Sequence, residues 1–223
     1  MFLKSKKLVG INKIDIGCGN FKEDGYFGLD AFKGPQVDYV IDLSKEKLPF
    51  KDDSIVHAVT FHALEHINNY KNLIDEIWRV LKPNAQFFVS VPYFNNYINI
   101  ANIYHVNHFN EHSFRFFSSE ESTKCLPERI WKFKFAPTWG LKGSANSSSE
   151  TEFRCLKIEF DYYPEYKSLT DSEKEIARLT KPNVVHNICF YLQTIKKNND
   201  IIDITPDNIV IPKRRIDQLK NNW

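Results

Sequence analysis

Short apolar runs separated by polar turns set the rhythm of the N-terminal part of the chain. Residues 11–16, 26–30 (Tyr-Phe-Gly-Leu-Asp), 37–41 (Val-Asp-Tyr-Val-Ile) and 55–61 (Ile-Val-His-Ala-Val-Thr-Phe) each read as a short buried strand. The turn-rich Pro49-Phe50-Lys51-Asp52-Asp53-Ser54 introduces the last of them. The pattern then changes period. Tyr70, Leu73, Ile74, Ile77 and Leu81 fall on one helical face, with Asn68 or Asn69 placed to cap its start. Pro83 cannot continue such a helix, and Asn84 tolerates the left-handed conformation that ends one. Gln86–Val91 reads as a fifth strand, closed by Pro92.

Buried strands alternating with crossovers predict an α/β fold: a Rossmann-like, doubly wound, mostly parallel sheet with helices on both faces. Right-handed crossovers place the C-terminal ends of the strands on one edge, where ligands bind. After residue 93 the pattern is less regular. Residues 94–118 are rich in Asn, His and aromatics, with a short helix expected near 111–117. Strands are expected at 131–136 and 153–163, separated by a polar, serine-rich loop over 143–150, and a helix at 167–179. Residues 188–195 alternate and read as a late antiparallel strand, with a short helix as the alternative. The segment from Asn198 onward is polar and is expected to pack loosely.

Composition narrows the function classes. The 223 residues are 42% hydrophobic and 26% charged, with a net charge of +2, as in ordinary globular domains. So small a charge argues against nucleic acid, which calls for a basic stripe. The clusters Lys196-Lys197 and Lys213-Arg214-Arg215 read as solvated surface. Cys18, Cys125, Cys155 and Cys189 show no paired spacing, which speaks against a disulfide framework or zinc knuckle and for a reducing compartment. No run is apolar enough for a signal peptide or a bilayer span, so a cytoplasmic protein is expected.

The first chemistry lies in Lys13-Ile14-Asp15-Ile16-Gly17-Cys18-Gly19-Asn20, a strand ending in an acid and two glycines. A dinucleotide fingerprint needs a third glycine, where Lys22 stands, and an acid about 20 residues on. Asp30 follows Gly17 by only thirteen residues, and no Lys-Ser or Lys-Thr pair marks a phosphate-cradling loop. The site therefore suits a nucleotide-like ligand without a pyrophosphate.

The series "IDIGCGN", "GYFGLD", "IDLSKEKLPFKDDSI", "FHALEHI" and "IWRVLKPNAQFFVSVP" resembles, in order and spacing, the class I S-adenosylmethionine-dependent methyltransferases, in particular the type 11-like group. The resemblance spans about residues 11–120. It implies a single methyltransferase domain over 1–197, with a cofactor-binding half at 11–92, substrate-side insertions at 93–185, and a polar tail at 198–223. Val56 stands where relatives carry an aspartate, and Asn84 where a glycine is usual.

The resemblance also implies roles within the motifs. Asp15 orients the glycine loop and helps bind the cofactor's ammonium group, directly or through water. Gly17 and Gly19, with Cys18 between them, let the backbone approach the methionine and ribose portion. Asp30 accepts the ribose hydroxyls, Asp42 and the N–H of Leu43 read the adenine edge, and Phe61 and His62 border the sulfonium. S-adenosyl-L-methionine is the expected cofactor.

Two histidine groups remain. His62-Ala-Leu-Glu65-His66 has a zinc-peptidase spacing, but it begins at a strand end rather than on one helical face. No metal is expected there, and Glu65 and His66 are assigned to bracing the loop through hydrogen bonds. The second group, His105-Val-Asn-His108-Phe-Asn-Glu-His112, follows the fifth strand, where related enzymes place substrate-facing elements. Tyr97, Tyr104, His105 and His108 are the expected acceptor-binding residues. His108, then His105, is the expected general base for a poorly nucleophilic hydroxyl. Phe114 and Phe117 are expected to be buried. O-methylation of a small-molecule or saccharide-type acceptor is the leading expectation, against RNA or protein methylation or a non-catalytic cofactor-binding subunit. The Asn-Pro-Pro-Tyr tetrapeptide of amino-methylating nucleic-acid enzymes is absent after the fourth strand.

Overall fold

Seven strands form one sheet: β1 (Lys13–Ile16), β2 (Phe27–Asp30), β3 (Tyr39–Val40), β4 (Ile55–Phe61), β5 (Leu81–Pro92), β6 (Phe153–Tyr162) and β7 (Val185–Thr194). In this computed structural model residues 8, 10–123, 139–142 and 150–220 are described. The expected strand at 131–136, Cys125 and nearly all of the 143–150 loop lie outside them. The spatial order is β3-β2-β1-β4-β5-β7-β6. The first five strands pair in parallel, and β7 runs antiparallel to both β5 and β6. Chain order reverses between β1 and β4, so the loops leaving those two strands diverge and open a crevice at their C-terminal ends.

Helix α1 (Tyr70–Val80) crosses from β4 to β5 and buries Leu73, Ile74, Ile77 and Val80 against Ile14, Ile16 and Val89. Asn69 occupies its N-cap position without a side-chain capping bond. The helix passes directly into β5 at Leu81, so β5 starts earlier than its apolar run suggests. Asn84 takes the expected left-handed conformation (φ +63°), but inside β5. There its side-chain oxygen accepts from Gln193 and from the Ile202 N–H, and its amide donates to the Asp200 carbonyl. The short α2 (Tyr97–Ala101) and a 3-10 turn at Ser113–Phe117 follow β5, with Phe114 and Phe117 buried as expected. Helix α3 (Asp171–Thr180) opens on a capping box between Thr170 and Glu173.

Residues 17–26 alone join β1 to β2, and no helix lies among them. The face of the sheet bearing Val59, Phe61, Phe88 and Tyr191 is covered instead from the C-terminal side, by Ile209 and helix α4 (Lys213–Lys220). This corrects the loosely packed tail and the solvated Lys-Arg-Arg cluster. Arg215 is 1% exposed, with its guanidinium held by Glu159 and Asp161 of β6. Arg214 lies over the Phe61 ring at 4.0 Å. The backbone N–H groups of Lys213 and Arg214 donate to the two carboxylate oxygens of Glu23, which caps α4 from the β1–β2 connection. A carboxylate at a helix N-terminus and a doubly paired arginine explain why so polar a segment can lie on the sheet.

Candidate functional site

The crevice at the switch point is a cleft of about 630 Å³, within the range of small-ligand sites. One wall comes from the strand ends: Gly17 and Gly19 after β1, Asp30 with Ala31 and Phe32 after β2, and Asp42 to Ser44 after β3. The opposite wall is His62, Ala63 and His66 to Asn68 after β4, joined by Ile103, Tyr104 and Val106. Among these lining residues there is no lysine or arginine. A second depression of about 480 Å³ runs beside α1 and contains none of the glycine-loop residues.

Both loop glycines are in the left-handed region, at φ +68° for Gly17 and +52° for Gly19. A β-carbon on Gly17 would meet the Ala63 β-carbon at 2.2 Å, whereas one on Gly19 would meet nothing within 4 Å. Gly17 therefore lets the β1 and β4 loops touch, and Gly19 keeps open the space of the cleft. Asp30 accepts from the Gly19 and Phe32 N–H groups at 2.9 Å each, one on each oxygen. A carboxylate has about four lone-pair positions, so two remain for a ligand's vicinal hydroxyls. Asp42 accepts from the Ser44 N–H and pairs with Lys45, whose hydrogen bond holds its carboxyl below the usual range. Phe32 is 81% exposed beside Asp30, an apolar face available to a planar base.

The family model described as "Methyltransferase domain" matches residues 28–89, from β2 into β5. Strand order, glycine loop and this match over residues 28–89 support a class I S-adenosylmethionine-dependent methyltransferase. Solved structures similar to it include a methyltransferase from Archaeoglobus fulgidus, 13% identical, covering 82% of this chain and 86% of that one at a TM-score of 0.49. Another, from Mesorhizobium loti, is 14% identical and covers 82% and 91% at 0.41. A complex of the Trm112 methyltransferase activator with a putative methyltransferase, from Haloferax volcanii, is 16% identical and covers 86% and 85% at 0.43. No curated protein matches the sequence. The cofactor is S-adenosylmethionine, and the cleft fits it: free lone pairs on the strand-end acid, open space over Gly19 and an exposed aromatic face.

The methyltransferase brings Gly17, Gly19, Asp30, Asp42, Leu43, His62 and Tyr104 together at this cleft. Other expected residues lie elsewhere. Asp15 points to the α4 face, fully buried, where one oxygen accepts from the Glu23 N–H at 2.7 Å and from Arg214 at 3.1 Å. Burial raises its carboxyl to about 6, against the pull of the Glu23 N–H and Arg214. It holds the Glu23 N–H beyond the glycine loop and does not line the cleft. Cys18 turns toward the Gln36 carbonyl, and burial pushes its thiol up to about 12. Phe61, next along β4 before His62, faces Arg214 by strand alternation.

Of the acceptor-side residues, Tyr97 sits beside Asn183, and His105 and His108 lie behind the cleft wall around Asn99. Burial lowers the His105 imidazole, with His66, His62 and His108 adding to the effect. The Glu65 side chain makes no hydrogen bond in the loop, and its polar contact there is His62 Nδ1, 3.5 Å from one oxygen. The Glu65 backbone carbonyl accepts from the Val106 and Asn107 N–H groups, and both carboxylate oxygens are buried without a hydrogen bond. Phe32, His66, Ile67, Ile103 and Val106 line the cleft and were not among the expected site residues. An aromatic two positions after a strand-end acid was the legible sign of Phe32. Ile103 and Val106 fall in the segment expected to face the acceptor, where Tyr97, Tyr104, His105 and His108 carry the sequence signal.

Proposed function

We propose that this methyltransferase methylates a hydroxyl of a small-molecule or saccharide-type acceptor, in the cytoplasm. The observation that supports it best is the cleft's lining. Two carboxylates and two imidazoles face it with no cationic side chain, which disfavours a phosphate-rich or nucleic-acid acceptor. Two free, buried cysteines, Cys18 and Cys189, suit a reducing compartment.

In this reading Gly19, Asp30, Asp42 and Leu43 hold the cofactor, with Phe32 against its base. Bound there, S-adenosylmethionine supplies an electrophilic methyl group and its own leaving group. The chain's residues orient the acceptor, exclude water and take a proton. Tyr104 and Ile103 form the acceptor wall. His62 lies in the cleft, with its Nδ1 3.5 Å from a Glu65 oxygen, and is better placed than His105 or His108 to accept the hydroxyl proton. The left-handed backbone of His62 (φ +52°) turns the chain from β4 into the cleft.

The test pairs calorimetry with turnover. S-adenosylhomocysteine should bind the wild type, and Asp30→Ala should lose at least about 10-fold in affinity. Incubation with labelled cofactor and separate pools of saccharides, phenols, RNA and protein should label a hydroxyl compound. His62→Gln should cut that rate about 100-fold or more at unchanged cofactor affinity. Absence of cofactor binding, or label confined to RNA or protein, would overturn the proposal.

A further inference from the structure

We propose that Glu65, His66 and His105 form a binding site for a divalent transition-metal ion in the wall of the cleft. One ligand atom from each residue lies within 4.8 Å of the other two. Glu65 carries the decisive observation. It is 1% exposed, and neither of its carboxylate oxygens makes a hydrogen bond, with His62 Nδ1 3.5 Å from one of them, although buried carboxylates ordinarily find donors.

The imidazoles are set for the same purpose. His66 Nδ1 lies 3.2 Å from the Tyr104 carbonyl oxygen, and His105 Nδ1 lies 2.6 Å from Asn99 Oδ1. The Asn99 amide nitrogen donates to the Tyr93 and Phe94 carbonyls, which fixes its oxygen toward His105. Carbonyl and amide oxygens only accept, so both Nδ1 atoms carry the proton and both Nε2 atoms present a lone pair. An oriented imidazole with its second nitrogen bonded to an oxygen is the usual outer support of a metal-ligating histidine. His105 Nε2 meets the Asn102 amide at 2.9 Å, a neutral contact that a cation would replace.

The two segments are also locked together. The Val106 and Asn107 N–H groups donate to the Glu65 carbonyl, and the Asn107 side chain donates to the carbonyls of Leu64 and Ile67. Ligands from sequence-distant loops are thus held in place before an ion arrives. Two imidazoles and one carboxylate suit zinc, cobalt or manganese, and not magnesium or calcium, which prefer all-oxygen sets. The His62-x-x-Glu65-His66 spacing supplies two of the ligands, but the third comes from the loop after α2 rather than from a helix. His66 also lines the cleft, which places the site beside it. The proposal rests on the ligand set alone and stands or falls independently of the acceptor's identity.

The full-length protein, stripped with a chelator, is titrated with ZnCl2 by calorimetry and with CoCl2 in the visible range. One equivalent of zinc should bind and raise Tm, cobalt should give d–d absorption, and millimolar MgCl2 should do neither. Glu65→Gln and His105→Gln should each weaken zinc binding by about 100-fold or more, and Asn99→Ala by about 10-fold, as lost ligands and lost outer support do. Should Glu65→Gln fail to fold, His105→Gln, on an exposed loop, carries the comparison. A wild type that takes up neither zinc nor cobalt overturns the site, as does zinc affinity that none of the three substitutions changes.

Discussion

A β-carbon on Gly17 would stand 2.2 Å from that of Ala63, while the same atom on Gly19 would enter open space. Both positions also carry the left-handed strain of about 1 kcal/mol that an L side chain adds. Gly17→Ala is therefore expected to lower stability by a further 1–3 kcal/mol through overpacking, read as a fall in Tm. Gly19→Ala should cost only the strain, yet lose roughly 10-fold or more in S-adenosylhomocysteine affinity, because its methyl fills the cleft. Wild-type affinity in Gly19→Ala would move the cofactor off this loop. Asp15 makes a prediction of opposite sign from an acid stabilised by an ion pair, because burial outweighs its partners. Its carboxyl in the fold, pushed up to about 6, lies above the 3.8 of an exposed aspartate. The folded protein therefore holds this proton to higher pH than the unfolded chain. The resulting stability is present below 3.8 and is lost as pH rises through 6, about 3 kcal/mol in all. Asp15→Asn removes that titration. Urea unfolding at several pH values from 4 to 7 should show the wild type losing stability relative to the variant as pH rises. Parallel curves would mean that Asp15 is ordinarily ionised in the fold.

Helix α4 shows at the scale of an element what charge alone conceals. Lys213-Arg214-Arg215 looks solvated in sequence, because its partners, Glu159, Asp161 and Asp15, are remote in the chain. Nothing in a single-sequence pattern links a basic triplet to alternating acids on an edge strand. The strands were legible for the opposite reason: apolar runs of period two, ending at glycine or aspartate, carry their own evidence of burial. The start of β5 was hidden by Pro83 and Asn84, which mark the end of a helix equally well. Arg215→Ala should cost about 3–5 kcal/mol, because it leaves Glu159 and Asp161 without their buried guanidinium. Lys213→Ala, a side chain mostly in solvent, should stay within about 0.5 kcal/mol. Equal denaturation midpoints for the two variants would refute the load assigned to Arg215.

Taken whole, the molecule compensates for the missing β1–β2 crossover helix with its own C-terminal segment, and this couples the two ends of the chain. Glu23 caps α4 through the Lys213 and Arg214 N–H groups, the Glu23 N–H is held by Asp15, and Arg214 reaches the same Asp15 oxygen. The glycine loop that forms one wall of the cleft thus rests on α4, although no residue of α4 lines the cleft. The cleft's strand-end half was legible because each strand carries its own functional residue at its tip. This support was not, because it acts through a side-chain carboxylate, Glu23, capping backbone N–H groups remote in the chain, which no local motif records. The consequence is thermodynamic. If the loop's bound conformation is favoured by α4, then removing α4 must weaken the cofactor, and the cofactor must in turn hold α4 down by the same free energy. A chain truncated after Asn208 is expected to bind S-adenosylhomocysteine roughly 10-fold more weakly, about 1.4 kcal/mol. Since such a truncation also uncovers Phe61 and Phe88, the cleaner measurement keeps the chain intact. Amide hydrogen exchange across residues 213–218 should slow when saturating S-adenosylhomocysteine is added, while exchange in α3, which touches neither the loop nor the cleft, should not. A Glu23→Gln variant, with a weaker cap but the same shape, should bind cofactor less tightly and show a smaller slowing. Exchange in α4 that is indifferent to the cofactor would mean that the helix is merely a cover for the sheet, and that the loop holds its shape without it.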